Sequence, residues 1–471
     1  MASSPLLHPD RLFSSDPQQR EFARELYASV RDLPIISPHG HTNPDWFADN
    51  KPFPNASELL IKPDHYLLRM LYSKGVSLSS LGLAPADGGP YEEDPAQVWQ
   101  TFADHYHLFC GTPTRLWMDH VLGEVFAIDQ QLDSATAPAI YTEVNRQLAT
   151  PECLPRALFK RFNIEVIATT ESPLDSLKAH QRLRDDPWSG RVITAYRPDP
   201  VVDPEYEGFA ANIAQLEQLS GEDCSTYTGY LMAHRERRQF FKAVGATSTD
   251  HGHPSARCAD LSAAECERLY QGALRGALTG EEAELFRAQL LTEMALMSLD
   301  DGLVMQIHPG VYRNHNPALF SAFGRDRGAD IPLPGEFVRH LKPLLDRVGN
   351  EPNFTLILFT LDETNYAREL APLAGHYPAL LLGPPWWFHD SPEGMLRYRQ
   401  QVTETAGFYN TAGFNDDTRA FLSIPARHDV ARRMDCRFLA QLVAEHRLAM
   451  DEAAALATDL AGNLARRAYR L

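Results

Sequence analysis

The feature that most constrains this chain is a series of short apolar runs, each of which ends in a cluster of polar residues. The first is 33–37, which runs into Pro38-His39-Gly40-His41. Similar runs follow at 164–169, 192–196, 242–248, 303–307, 354–359 and 379–382, with a weaker eighth at 411–414. Between them lie segments of helical period, such as 279–299, which opens with the capping box Thr279-Gly280-Glu281-Glu282. Continuous apolar runs suit strands buried on both faces, as parallel sheets require. Eight such strands alternating with helices, with polar side chains gathered where the strands end, predict a distorted (β/α)8 TIM barrel.

The spacing is uneven. The interval between strands one and two is far longer than one crossover helix needs, and 46–159 reads as a helical insertion capping the barrel mouth. Segment 203–241 reads as a smaller helical excursion. The barrel is then 1–45 plus 160–471, with a leader helix over 18–29.

Composition narrows the function. The chain has 471 residues, 44% of them hydrophobic, enough to fill a core rather than remain disordered. With 44 Lys+Arg against 62 Asp+Glu the net charge is −18, which argues against nucleic acid as the partner. No run of 18 apolar residues suggests a membrane span, and residues 1–13 lack the pattern of a signal peptide. Six scattered cysteines without a CxxC pair read as free thiols in a reducing cytoplasm. No glycine-rich nucleotide motif is present, so no nucleotide cofactor is expected. Barrels of this size commonly assemble, and a homo-oligomer is expected.

His39-Gly40-His41 is the sharpest chemical signal. Residues i and i+2 of an extended segment share a side, so both imidazoles can meet one ion. His308, Asp250 to His253, and Asp416 or Asp417 are further donors at strand ends, and spacing leaves the choice between the two aspartates open. Such an N/O donor set suits one divalent metal, zinc foremost and manganese next. Arg197, Arg313 and Arg419 also fall at or just past strand ends, where guanidinium forks can bind a small acidic, oxygen-rich substrate. Trp386 offers an aromatic wall.

These residues stand in segments that resemble the uronate isomerase (glucuronate isomerase) family of the amidohydrolase superfamily. The segments are PHGHTNPDWFADN (38–50), KPDHYLLRML (62–71), TTESPLDSLKAH (169–180), YRPD (196–199), STDHG (248–252), MQIHPGVYRNHN (305–316), GPPWWFHDSPEGM (383–395), DTRAFLS (417–423), RHDVARR (427–433) and GNLARR (462–467). The chain departs from the family pattern at Pro309, His315 and Pro384-Pro385, and by one residue inserted within 421–429.

The resemblance implies His39, His41 and Asp417 as metal ligands, with His308 at or near the ion. It implies that Arg197, Arg419 and Arg466 bind substrate, with Trp386 as a wall residue, and the strand-end position of Arg313 adds it to the substrate-binding set. The implied reaction interconverts D-glucuronate and D-fructuronate, or D-galacturonate and D-tagaturonate, through an enediol. Asp417, alone or relayed through Tyr66, is the expected base; His65 would move protons at the hydroxyls, with Asp250 orienting or sharing that role and Arg419 neutralising oxygens. The alternative on the same barrel is metal-assisted hydrolysis of a small acidic amide or lactone.

Overall fold

The computed structural model describes residues 6–471, so the first five residues of the predicted leader lie outside the described residues. The sheet comprises β1 (Ile35–Ser37), β2 (Ile164–Glu171), β3 (Arg191–Tyr196), β4 (Ser248–His251), β5 (Val304–Ile307), β6 (Leu356–Leu358) and β7 (Leu380–Leu382). They are parallel and pair in chain order. Helices surround this curled, open sheet, and the fold is the expected distorted TIM barrel.

Two of the predicted strands differ from the observed ones. The run 242–248 is mostly not a strand: Lys242 and Ala243 end the helix Tyr227–Ala243, and β4 begins at Ser248. Gly245 is the physical cause. Its φ of +104° is the left-handed backbone that terminates helices, and the amide of Ala246 donates back to the Phe241 carbonyl. Asp250 and His251 therefore belong to β4 itself and are buried.

The predicted eighth strand makes one parallel bridge, Leu382 to Thr411, and no ladder. The ring is drawn together further along, where the His41 amide donates to the Thr418 carbonyl at 3.0 Å. Tyr469 of the C-terminal helix Leu464–Tyr469 braces the same region. Its hydroxyl donates to Gln306 on β5 and accepts from Asn415. The C-terminal helical stretch is divided into Met450–Thr458 and Leu464–Tyr469 by a π turn over Asp459–Asn463.

Within 46–159 the helices start where side-chain caps precede prolines or polar first turns. Asp94 and Thr112 cap Pro95–Asp104 and Pro113–His120, while Asp64 caps His65–Tyr72. Their apolar faces share one core with Ile35, Ile164, Ile167 and Val192 of β1 to β3, and with Phe421 and Leu422. The excursion after β3 contains Phe209–Ser220 and Tyr227–Ala243. No helix among the described residues is long and apolar enough to cross a membrane.

A buried ion pair fixes the helices flanking β4 and β5. Arg238 is fully buried, and its guanidinium grips Asp301 through Nε (2.6 Å) and Nη2 (3.0 Å) and Ser298 through Nη2 (2.9 Å). Removing one partner strands the other charge away from water. Arg238→Met should therefore cost about 3–5 kcal/mol, read as a lowered urea midpoint.

Candidate active site

The loop after β1 carries His39 and His41, and the loop after the Thr411 bridge carries Asp417. His39 Nε2 and His41 Nε2 lie 3.4 and 3.0 Å from the same Asp417 oxygen. Asp417 has a φ of +38°, a left-handed backbone that a non-glycine residue holds only when its surroundings impose it. The neighbouring hydrogen bond from His41 to Thr418 is one such restraint. Asp416 turns the other way and binds His428 at 3.1 Å, so Asp417 is the aspartate that meets the histidines.

His308 follows β5 and stacks between His39 (4.8 Å between rings) and Phe359 (3.9 Å), with Trp386 edge-on. Its Nδ1 bonds Asp250 at 2.6 Å, which leaves Nε2 buried without a hydrogen-bond partner. Two donor groups thus share His39: one with His41 and Asp417, the other with Asp250 and His308. Convergent imidazole and carboxylate donors, and an orphaned buried ring nitrogen beside them, fit a divalent cation.

The electrostatics follow from burial and pairing. Burial opposes the charge on Asp417, yet His39 and His41 outweigh it and hold the carboxyl well below its usual range. Burial likewise opposes the charge on Asp250, and Arg197 and His308 overcome it. His65 has no such partner. Burial, reinforced by the nearby Arg419, pushes its imidazole down to about 3, so it is neutral at physiological pH.

Arginines surround this centre. Arg197 hydrogen-bonds Asp199 at 2.8 Å and forms an ion pair with Asp250 at 3.1 Å. Gly252 permits that placement, because a Cβ there would stand 2.5 Å from Arg197 Nη2 and 2.7 Å from Asp199 Oδ2. Arg419 pairs with Asp326 (3.1 Å) and Arg313 with Asp330 (2.9 Å). Together with His65, Trp386 and Trp387 they line a cavity of about 310 Å³ that includes both donor groups. A volume of this size suits a small molecule.

The glucuronate isomerase family profile matches residues 15–468. A uronate isomerase of Xanthomonas axonopodis pv. citri is 64% identical over the whole of both chains. The chain belongs to the uronate isomerase family. The solved structure of a glucuronate isomerase from Caulobacter crescentus superposes with a TM-score of 0.97 at 59% identity, covering 98% of this chain and 97% of that one. A uronate isomerase from Thermotoga maritima gives 0.91 at 26% identity, covering 98% and 99%.

Two residues that the resemblance to uronate isomerases assigned to the substrate are placed elsewhere. Tyr66 does not line the cavity; its hydroxyl donates to Asp390 at 2.8 Å. The Tyr66 ring stacks on that of His65, 5.0 Å between centroids, but only His65 reaches the cavity lining. Arg466 pairs with Glu165 at 2.6 Å, near the start of β2 and away from the strand ends that line the cavity.

The family resemblance also left residues unnamed. Tyr206 and Asp203 reach the cavity from the excursion after β3, and Arg325, Asp326 and Asp330 from the loop after β5. The signal for the latter group was the charged, glycine-punctuated stretch GRDRGAD at 324–330.

His41→Ala and Asp417→Asn should each lose bound divalent metal, measured by elemental analysis of the purified protein. Gly252→Ala should displace Arg197 and lower kcat/KM by about tenfold to a hundredfold, because small misplacements of positioning groups are costly.

Proposed function

We propose that this uronate isomerase family member interconverts the aldose and 2-keto forms of a hexuronate, D-glucuronate or D-galacturonate, by proton transfer through an enediol. The observation that carries the reading is one cavity holding a His/His/Asp donor group together with arginines poised for anions. Sugar, carboxylate and developing oxyanion each find a complementary group there.

The donor residues are His39, His41 and Asp417, with His308 beside them. Zinc suits this N/O set and manganese is the second choice; when bound, such an ion polarises substrate oxygens and stabilises negative charge on them. Asp417 is held ionised, as a base for the C2 proton must be. The base breaks the C2–H bond, the electron pair forms the enediol, and a proton returned to C1 completes the ketose with no net redox change. Arg419 and Arg197 neutralise substrate oxygens. The neutral His65 can pass a proton between hydroxyls, and Asp250 orients His308 and Arg197.

His65 at the cavity supports a capping role for 46–159, with the barrel formed by 1–45 and 160–471. Free cysteines support a cytoplasmic setting. The homo-oligomer expected for this size is checked by light scattering.

The deciding assay incubates the protein with each uronate in deuterated water. The expected result is a 2-ketouronate carrying deuterium at C1, with activity lost on chelation and regained with zinc or manganese. Absence of ketose from both sugars, in folded and metal-loaded protein, overturns the reading.

A further inference from the structure

Four arginines line the cavity, and they are not equivalent. Arg197 is held by Asp199 and Asp250, Arg313 by Asp330, and Arg419 by Asp326. Arg325 is different. Its guanidinium lies over the ring of Tyr206, 4.4 Å from the centroid, and 5.8 Å from that of Phe320. Among the described residues it is the cavity-lining arginine with no carboxylate within ion-pair distance.

The local backbone explains the separation of neighbours. Asp326 has a φ of +62°, and this left-handed turn directs its carboxylate to Arg419 while Arg325 is directed to Tyr206. Tyr206 comes from the excursion after β3 and Arg325 from the loop after β5, so the pair joins two separate segments at the cavity wall.

A cation resting on exposed aromatic faces is worth only about 0.5–1 kcal/mol. A carboxylate bound by the guanidinium fork is worth more, and the planar group can keep its ring contact while its edge donates. Engaging Arg197, Arg313 or Arg419 instead would require sharing or breaking an existing ion pair. The reacting carbons C1 and C2 belong at the donor cluster, which leaves the carboxylate at the far end of the six-carbon substrate in need of a separate cation.

We propose that Arg325 binds the substrate carboxylate and gives the enzyme its preference for sugar acids over neutral sugars. This rests on the uronate isomerase reading above. Tyr206 acts as the platform that holds the guanidinium in place before substrate arrives, so less side-chain freedom is lost on binding.

The test compares wild type, Arg325→Gln and Arg325→Lys on the preferred uronate, with the neutral uronamide of the same sugar as competitive inhibitor. Arg325 is exposed, so the substitutions leave the core intact. Arg325→Gln should raise KM for the uronate by about tenfold or more, the range expected for a charged hydrogen bond. The loss should fall on KM rather than kcat, and the uronamide inhibition constant should stay the same. Arg325→Lys should recover part of the affinity.

An active wild type with unchanged KM in Arg325→Gln overturns the proposal and leaves the isomerase reading standing. A fall in kcat alone also overturns it, since it would mark Arg325 as a support for the loop. Wild type inactive on both uronates removes the reading beneath it, and the proposal with it.

Discussion

The contact on which the site depends is the one between His39, His41 and the carboxylate of Asp417. It joins the first strand of the barrel to the segment after the last bridge, where no ladder closes the ring. The hydrogen bond from His41 to Thr418 runs beside it, and the left-handed backbone at Asp417 is held between them. Closure of the fold and assembly of the donor group are thus the same event. A divalent ion bound there would tie the two ends of the sheet, and its binding energy would also be stability.

Around that centre the protein has arranged its cations in advance. The chain is strongly acidic overall, yet its cavity draws arginines from the ends of β3 and β5 and from the segment following Asp417. Buried or half-buried guanidiniums need compensation, and three of the four obtain it from carboxylates that also fix their direction. This keeps the site ordered at the cost of masking charge. An arginine held only by aromatic faces is the exception, and it is the one most readily given to an anion.

Much of this was legible in linear form. Six of the eight apolar runs correspond to strands, because a strand buried on both faces needs a continuous apolar run and little else. The two departures have local causes: Gly245 ended a helix inside an apolar run, and 411–414 found one bridge instead of a ladder. Periodicity does not report either, since both depend on backbone conformation and on which neighbours arrive. His39 and His41 could be found from their spacing alone, whereas Tyr66 and Arg466 were carried by resemblance and are turned toward Asp390 and Glu165.

By itself the sequence determined the alternation of strands and helices, the HxH donor pair and the family. These are encoded locally, in apolar runs, in spacing and in short motifs. Only the tertiary structure directed Asp416 to His428, tied the Tyr66 hydroxyl to Asp390, and brought Arg325 to face Tyr206. Those outcomes turn on the direction of single side chains, set by backbone dihedrals such as the positive φ at Asp417 and Asp326 and by partners distant in the chain. Adjacent residues share a sequence position to within one step, but they share neither a direction nor a neighbour.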